Sequence, residues 1–148
     1  MFTKILLASD GSDGAAKAAA AAAELTRRFG AELTVLHVFS PPAPAIVPFS
    51  MGELATDVDP TWIDRLARAA GEQVACRAGE VLQAAGVPYA FRLETGHPAE
   101  VIVRLAETDG FDLVVLGSRG LGGVKEFLLG SVSNRVSHHA RCPVLIVH

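Results

Sequence analysis

The chain lacks the features that mark several classes of protein. Its 148 residues include only two cysteines, Cys76 and Cys142, so neither a disulfide framework nor a zinc site with paired Cys-x-x-Cys spacing is expected. Both thiols are expected to be reduced. No apolar run approaches the ~20 residues that cross a bilayer, and the N-terminus lacks the basic and apolar regions of a signal peptide. We therefore expect a soluble, cytoplasmic protein with no membrane partner.

An excess of positive charge is also absent, since 13 Lys and Arg stand against 16 Asp and Glu. Because binding to a phosphate backbone requires clustered cations, no nucleic-acid partner is expected. Two familiar nucleotide-binding motifs are missing as well. There is no Gly-x-x-x-x-Gly-Lys-Ser/Thr, and the first apolar run is followed by Asp10-Gly11-Ser12-Asp13 rather than Gly-x-Gly-x-x-Gly. P-loop ATPases and dinucleotide dehydrogenases are therefore disfavoured.

The composition favours one globular domain over residues 1–148, since half of the residues are apolar. Short apolar runs alternate with helical patterns along the whole chain. Strands are predicted over residues 5–8, 33–38, 87–94, 111–116 and 143–147. Helices are predicted from Ser12 or Asp13 to Gly30, from Asp59-Pro60 to Gly86, from Pro98 to Gly110 and over residues 131–140. This alternation predicts a parallel α/β sheet with helices on both faces.

The region between residues 40 and 60 breaks this pattern. Pro41, Pro42, Pro44 and Pro48 prevent regular backbone hydrogen bonding over its first half, which predicts a long loop. Its apolar residues are consistent with a lid or contact surface, and its length is equally consistent with a mobile connector. Both interpretations stay open.

In a parallel sheet of this kind, ligands bind beyond the carboxyl ends of the strands, where the strand order reverses. The predicted first and fourth strands end at Ser9-Asp10-Gly11 and at Gly117-x-x-Gly120, which is followed after nine residues by Gly130-Ser131. Glycines allow backbone N–H groups to approach an anion, and the following helix adds unpaired N–H donors. The alternative is that these glycines only form turns, but their place after the fourth strand favours a phosphate site.

The polar side chains beside this motif each have a structural alternative. Asp10 could accept hydrogen bonds from ribose hydroxyls or cap the first helix. Ser131 and Ser133 could bind phosphate oxygens or cap the last helix. Arg119 could pair with a phosphate or be simply solvated. Neither a nucleophile–base pair nor a metal-ligand spacing is evident, since the adjacent His138 and His139 point about 100° apart on a helix. No catalytic or metal-binding residue is therefore assigned.

Together, Asp10, Leu36-His37-Val38 and the glycine motif with Ser131 resemble the universal stress protein family, in its ATP-binding branch, over the whole chain. This resemblance implies a Rossmann-like sheet, similar to the adenine nucleotide alpha hydrolases, with strand order 3-2-1-4-5. It also implies ATP as the ligand, with or without Mg²⁺, and a homodimer joined through the last strand. Together with Arg119, which is included as a cation that could pair with a phosphate, the residues that it implies give this predicted nucleotide-binding set: Ser9, Asp10, Val38, Gly117, Arg119, Gly120, Gly130, Ser131, Val132 and Ser133.

In the resemblance, Asp10 contacts ribose, Val38 borders adenine, and the glycines with Ser131 and Val132 surround the phosphates. The function expected on this basis is that of a nucleotide-responsive dimeric regulator in the stress response, with an unidentified downstream protein partner. Two alternatives stay open: a slow ATPase or an enzyme that phosphorylates itself on Ser131 or Ser133, and a dimeric scaffold whose nucleotide site is vestigial.

Overall fold

A computed structural model of the chain describes residues 1–42, 61–121 and 129–148. In this part of the chain, strands and helices alternate as the sequence predicts. The strands are β1 (Lys4–Ala8), β2 (Glu32–Phe39), β3 (Ala90–Thr95), β4 (Leu113–Gly117) and β5 (Val144–Val147). The helices are α1 (Asp13–Phe29), α2 (Trp62–Ala84), α3 (Pro98–Thr108) and α4 (Ser131–His139).

The five strands form one parallel sheet in the order β3-β2-β1-β4-β5, which confirms the predicted fold class and strand order. The central strand β1 is covered on both faces, so Ile5, Leu6 and Leu7 have no exposed surface. Ile5 and Leu7 belong to a core with α1 and α2, whereas Leu6 belongs to a core with α3 and α4. The strand order reverses between β1 and β4, and this places their carboxyl ends on either side of a crevice.

Helix α1 starts beside that crevice, just after the carboxyl end of β1. Ser12 is its N-cap, since the Ser12 Oγ accepts a hydrogen bond of 3.1 Å from the Ala15 N–H. The helix ends at Gly30, whose φ of +65° is the left-handed conformation that glycine adopts readily. Its buried face is largely alanine, and side chains this small allow the helix backbone to lie close to the sheet. The prediction for this helix is confirmed at both ends.

Helix α2 and strand β3 differ from the predictions. The predicted start of the second helix at Asp59-Pro60 lies outside the described residues, and α2 begins at Trp62 with Thr61 as N-cap. The spacing of the apolar residues in this segment predicts a buried helix face that includes Leu66, but Leu66 is 44% exposed, whereas the neighbouring Ala67 is buried. Small side chains let the helix approach the sheet more closely than leucine would allow.

The third strand starts at Ala90 rather than at the predicted Val87. Gly86 has a φ of +69°, and the Val87 N–H donates a hydrogen bond of 3.0 Å to the Leu82 carbonyl. Val87 therefore completes the end of α2. Pro88 then has no N–H to donate to a ladder. Val87 is nevertheless buried, which explains why an apolar residue stands here and fits the pattern of the predicted strand.

Most of the predicted loop at residues 40–60 lies outside the described residues. Among the helices of the described residues, we find none whose length and hydropathy would suffice for a transmembrane span.

Candidate functional site

A cavity of about 530 Å³ lies at the carboxyl ends of β1 and β4, where the sheet order reverses. This volume is within the range of small-molecule binding sites. All ten predicted nucleotide-binding residues line this one cavity, although they come from four separate parts of the chain: Ser9, Asp10, Val38, Gly117, Arg119, Gly120, Gly130, Ser131, Val132 and Ser133. The fold therefore brings the predicted residues together, and their binding roles stay predictions.

One wall of the cavity is apolar. Leu36 and Val38 from β2 and Ile102 from α3 belong to the same core cluster, and all three also line the cavity. Pro98, the first residue of α3, and Val132 of α4 complete this wall. An apolar surface next to strand ends can hold a flat ring between side chains while backbone groups contact its polar edge.

The lining of the cavity also includes one carboxylate, that of Asp10. The Asp10 Oδ1 accepts a hydrogen bond of 2.9 Å from the Ser12 N–H, and Oδ2 accepts one of 3.1 Å from the Leu121 N–H. Asp10 thus connects the end of β1 to the segment that follows β4. It is not the cap of α1, because Ser12 has that role. Each carboxylate oxygen can accept a further hydrogen bond, so both remain able to bind a hydroxyl group.

Close contacts rather than a glycine-specific turn conformation distinguish the motif glycines, and Gly117 has the least space. Gly117, Gly120 and Gly130 are not among the glycines with positive φ. A Cβ atom at Gly117 would lie 2.9 Å from the Gly14 carbonyl carbon, and one at Gly120 would overlap the Asp10 Oδ2. A Cβ at Gly130 would lie 3.3 Å from the Ser118 carbonyl oxygen. The turn-forming alternative is therefore not what the structure favours for these three positions.

The N-terminus of α4 opens towards the cavity. Gly130 is its N-cap, and no side chain of the described residues caps the helix. The prediction that Ser131 or Ser133 caps this helix is therefore wrong. The N–H groups of Ser131, Val132 and Ser133 belong to the first turn, where no intrahelical acceptor exists. These donors and the helix dipole favour an anion at this place.

The two serines of this turn differ in their surroundings. Ser133 is buried, and its hydroxyl donates 2.8 Å to the Ser118 carbonyl and lies 3.0 Å from the Gly130 carbonyl. It therefore fixes the start of α4 against the end of β4. Ser131 is exposed and lines the cavity. Its hydroxyl can reach a ligand more readily than that of Ser133.

Several lining residues were not predicted as part of a site, among them Leu36, His37, Pro98 and Ile102. Pro98 follows the end of β3, and its place at a strand's carboxyl end was the available signal. Ile102 lies one turn further along α3, and only the packing of α3 against the sheet places it in the cavity. The His37 Nδ1 lies 2.9 Å from the Ser9 carbonyl oxygen, so this nitrogen carries the proton and donates it.

No group of three His, Cys, Asp or Glu side chains within the described ranges could hold a metal ion. Asp10 is the acidic residue among the cavity's described lining residues. Magnesium commonly binds one or two carboxylates together with substrate phosphates, so Asp10 would hold such an ion only if its carboxylate did not contact a ribose.

These features define a Rossmann-like α/β protein with a cavity at the reversal of strand order. The model of the universal stress protein family matches residues 1–148. Universal stress protein YxiE of Bacillus subtilis is 40% identical over 150 residues, covering 99% of both chains. The chain belongs to the universal stress protein family.

Solved structures agree with this assignment. The universal stress protein UspA from Lactobacillus plantarum matches with a TM-score of 0.78 at 26% identity, covering 99% of this chain and 98% of that one. A universal stress protein solved in complex with cAMP matches with a TM-score of 0.73 at 25% identity, covering 99% and 97% of the two chains.

Proposed function

We propose that this protein binds an adenine nucleotide in the cavity between β1 and β4, with ATP as the expected ligand, and acts as a nucleotide-responsive dimeric regulator in the cytoplasm. The observation that carries this proposal is the grouping of three unlike surfaces around one cavity of about 530 Å³. They are the apolar wall at Val38 and Ile102, the Asp10 carboxylate, and the N-terminus of α4.

Each surface suits one part of a nucleotide. The apolar wall suits a base, because a flat ring needs apolar contact on its face and few polar groups at its edge. The Asp10 carboxylate suits ribose hydroxyls, which donate hydrogen bonds to it. The first-turn N–H groups of α4 suit phosphate oxygens. A homologous universal stress protein has been solved in complex with cAMP, which supports an adenine nucleotide as the ligand class.

The sharpest test of this proposal is the substitution Asp10→Asn. It keeps the size of the side chain but removes the negative charge that would accept hydrogen bonds from ribose, and it places an NH2 group against one of the two N–H donors, Ser12 or Leu121. We expect the affinity for ATP, measured by calorimetry, to fall about tenfold or more, since a hydrogen bond to a charged group contributes about 1.5–3 kcal/mol. AMP and cAMP, titrated in parallel, identify the preferred nucleotide.

Glu80→Gln is the matched control, because Glu80 is an exposed acid on α2 and does not line the cavity. It should bind ATP like the wild type. Asp10 is a better probe than Gly130, since any side chain at Gly130 would also press on the Ser118 carbonyl when no ligand is bound.

If the wild type binds no adenine nucleotide and releases none on denaturation, the proposal fails and a scaffold with a vestigial site replaces it. Phosphate release that rises linearly with time and is lost with Asp10 would favour the slow ATPase instead.

For the dimer, we propose pairing through the open edge of β5. Leu145 is 37% exposed, and β5 is an edge strand of the sheet. The Pro143 carbonyl accepts a hydrogen bond from the Val114 N–H of β4, and the Val147 carbonyl accepts one from the Ser118 N–H directly after β4. Because strand residues alternate in direction, the N–H and C=O groups of Val144 and Ile146 point away from β4 towards the open edge. An unpaired apolar edge of this kind favours pairing with a second copy about a two-fold axis.

Ile146→Pro tests this pairing, because it removes an N–H that points outward and leaves the hydrogen bonds to β4 in place. We expect the mass in solution to fall from that of a dimer to that of a single chain of 15.5 kDa. Ile146→Ala loses the same side-chain contacts but keeps the N–H, and it should remain dimeric. A proline variant of dimeric mass would exclude this strand as the interface.

A further inference from the structure

The connection between β1 and α1 sets the direction of Asp10. The Gly11 N–H lies 3.3 Å from the Ser9 Oγ, and the Ser12 N–H donates 2.9 Å to the Asp10 Oδ1. Gly11 has a φ of +78°, a conformation that glycine adopts at little cost and leaves as easily. These short-range contacts shape the turn, but a glycine at its centre provides little stiffness. A contact from outside the turn can therefore limit its motion further.

Helix α2 packs on the outer side of this turn. A Cβ atom at Gly11 would lie 3.4 Å from the Val74 Cγ2. One turn away, the Arg77 Nη1 donates a hydrogen bond to the Gly11 carbonyl, and its Nη2 lies 3.3 Å from the Asp13 Oδ1. One guanidinium group thus connects α2 to the peptide after Gly11 and to the first turn of α1. Arg77 does not line the cavity.

We propose that Arg77 is a positioning residue for the nucleotide site, which acts through the Gly11 carbonyl to hold the Asp10 carboxylate towards the ligand. This inference rests on the proposed function. The hydrogen bond from the guanidinium restrains rotation of the peptide between Gly11 and Ser12, which keeps the Ser12 N–H directed at Asp10. Without it, the flexible glycine allows this peptide to turn, and the Asp10 carboxylate loses one of its two backbone donors.

Arg77→Gln should lower the affinity for ATP about fivefold, since the lost hydrogen bond is partly exposed to solvent and acts only through a second residue. The Arg77 side chain is 53% exposed, so its removal leaves both cores intact and should leave the melting temperature close to that of the wild type. Arg77→Lys keeps a donor for the Gly11 carbonyl but not the two-pronged contact, and it should restore part of the affinity. Arg68→Gln removes an exposed arginine from the same helix and serves as the control.

Two measurements separate positioning from a general structural effect. In the ligand-free protein, amide hydrogen exchange at Ser12 and Leu121 reports directly on the hydrogen bonds to Asp10, and we expect it to be faster in Arg77→Gln. In a double-mutant cycle, Arg77→Gln should cost no further affinity once Asp10 is asparagine, because the effect passes through that carboxylate.

Wild-type exchange at both amides in Arg77→Gln would overturn the inference, as would an equal loss of affinity in the Asp10→Asn background. If the wild type binds no adenine nucleotide, the proposed function fails, and the exchange measurement still decides whether Arg77 holds Asp10. Faster exchange then supports this contact, whereas unchanged exchange refutes it.

Discussion

Gly117→Ala is expected to lower the free energy of unfolding by about 2 kcal/mol, the usual range for an added methyl group that has no space. The added Cβ would lie 2.9 Å from the Gly14 carbonyl carbon and 3.0 Å from its oxygen. Both atoms belong to the backbone of α1, where Ser12 caps the helix and Ala15 is buried. Neither can rotate aside, so β4 and the start of α1 must move apart.

The matched control is Gly71→Ala in α2. Its Cβ would lie 3.1 Å from the Leu93 Cδ2, which is similarly close but belongs to a flexible side chain. Alanine also has a helix propensity better than that of glycine by about 1 kcal/mol, which offsets the movement of Leu93. Urea unfolding of the two variants compares them directly. Equal stabilities would show that β4 and α1 have room to separate at no cost.

Gly120→Ala should instead act on binding. The added Cβ would overlap the Asp10 Oδ2, the end of a side chain that can rotate away if its hydrogen bond to the Leu121 N–H is lost. We expect a loss of about 1 kcal/mol in stability, the usual contribution of one hydrogen bond. The affinity for ATP should fall about tenfold or more, because the carboxylate turns away from the ribose position.

Calorimetric titration of Gly120→Ala, alone and combined with Asp10→Ala, tests this mechanism. Once the Asp10 carboxylate is absent, the added methyl group has nothing to displace, so the second substitution should cost no further affinity. Independent losses that add together would mean that Gly120 contacts the ligand itself. Wild-type affinity in the single variant would separate Asp10 from nucleotide binding altogether.

The residues that predicted the fold are those whose surroundings repeat a simple pattern. Ile5, Leu6 and Leu7 form a continuous apolar run, which is typical of a strand buried on both faces, and β1 is such a strand. Ser12 and Gly30 are standard helix-end residues, and they begin and end α1 as predicted. Prediction from the local sequence was wrong where an apolar residue could be buried either in a strand or in a connection, as for Val87, which is buried outside β3.

The candidate site was partly predictable for a related reason. Asp10 and the glycine motif follow strand ends, and a parallel sheet gathers the carboxyl ends of its strands at one edge. Ile102 and Arg77 carry no such signal, because they lie within helices, and an isoleucine or arginine in a helix is ordinary in any sequence. Their nearness to the site depends on which face of α2 or α3 packs against the sheet.

By itself, the sequence determined the alternation of strands and helices, the places of the strand ends and the resemblance that led to the family, since all of these depend on neighbours along the chain. Only the tertiary structure explains why a side chain does not fit at the motif glycines. Gly117 meets Gly14, and Gly120 meets Asp10, about a hundred residues apart in the chain. The first contact arises from the packing of α1 against β4, and the second from the pairing of β1 with β4, which brings the segments after these strands together; no local pattern of residues contains either contact.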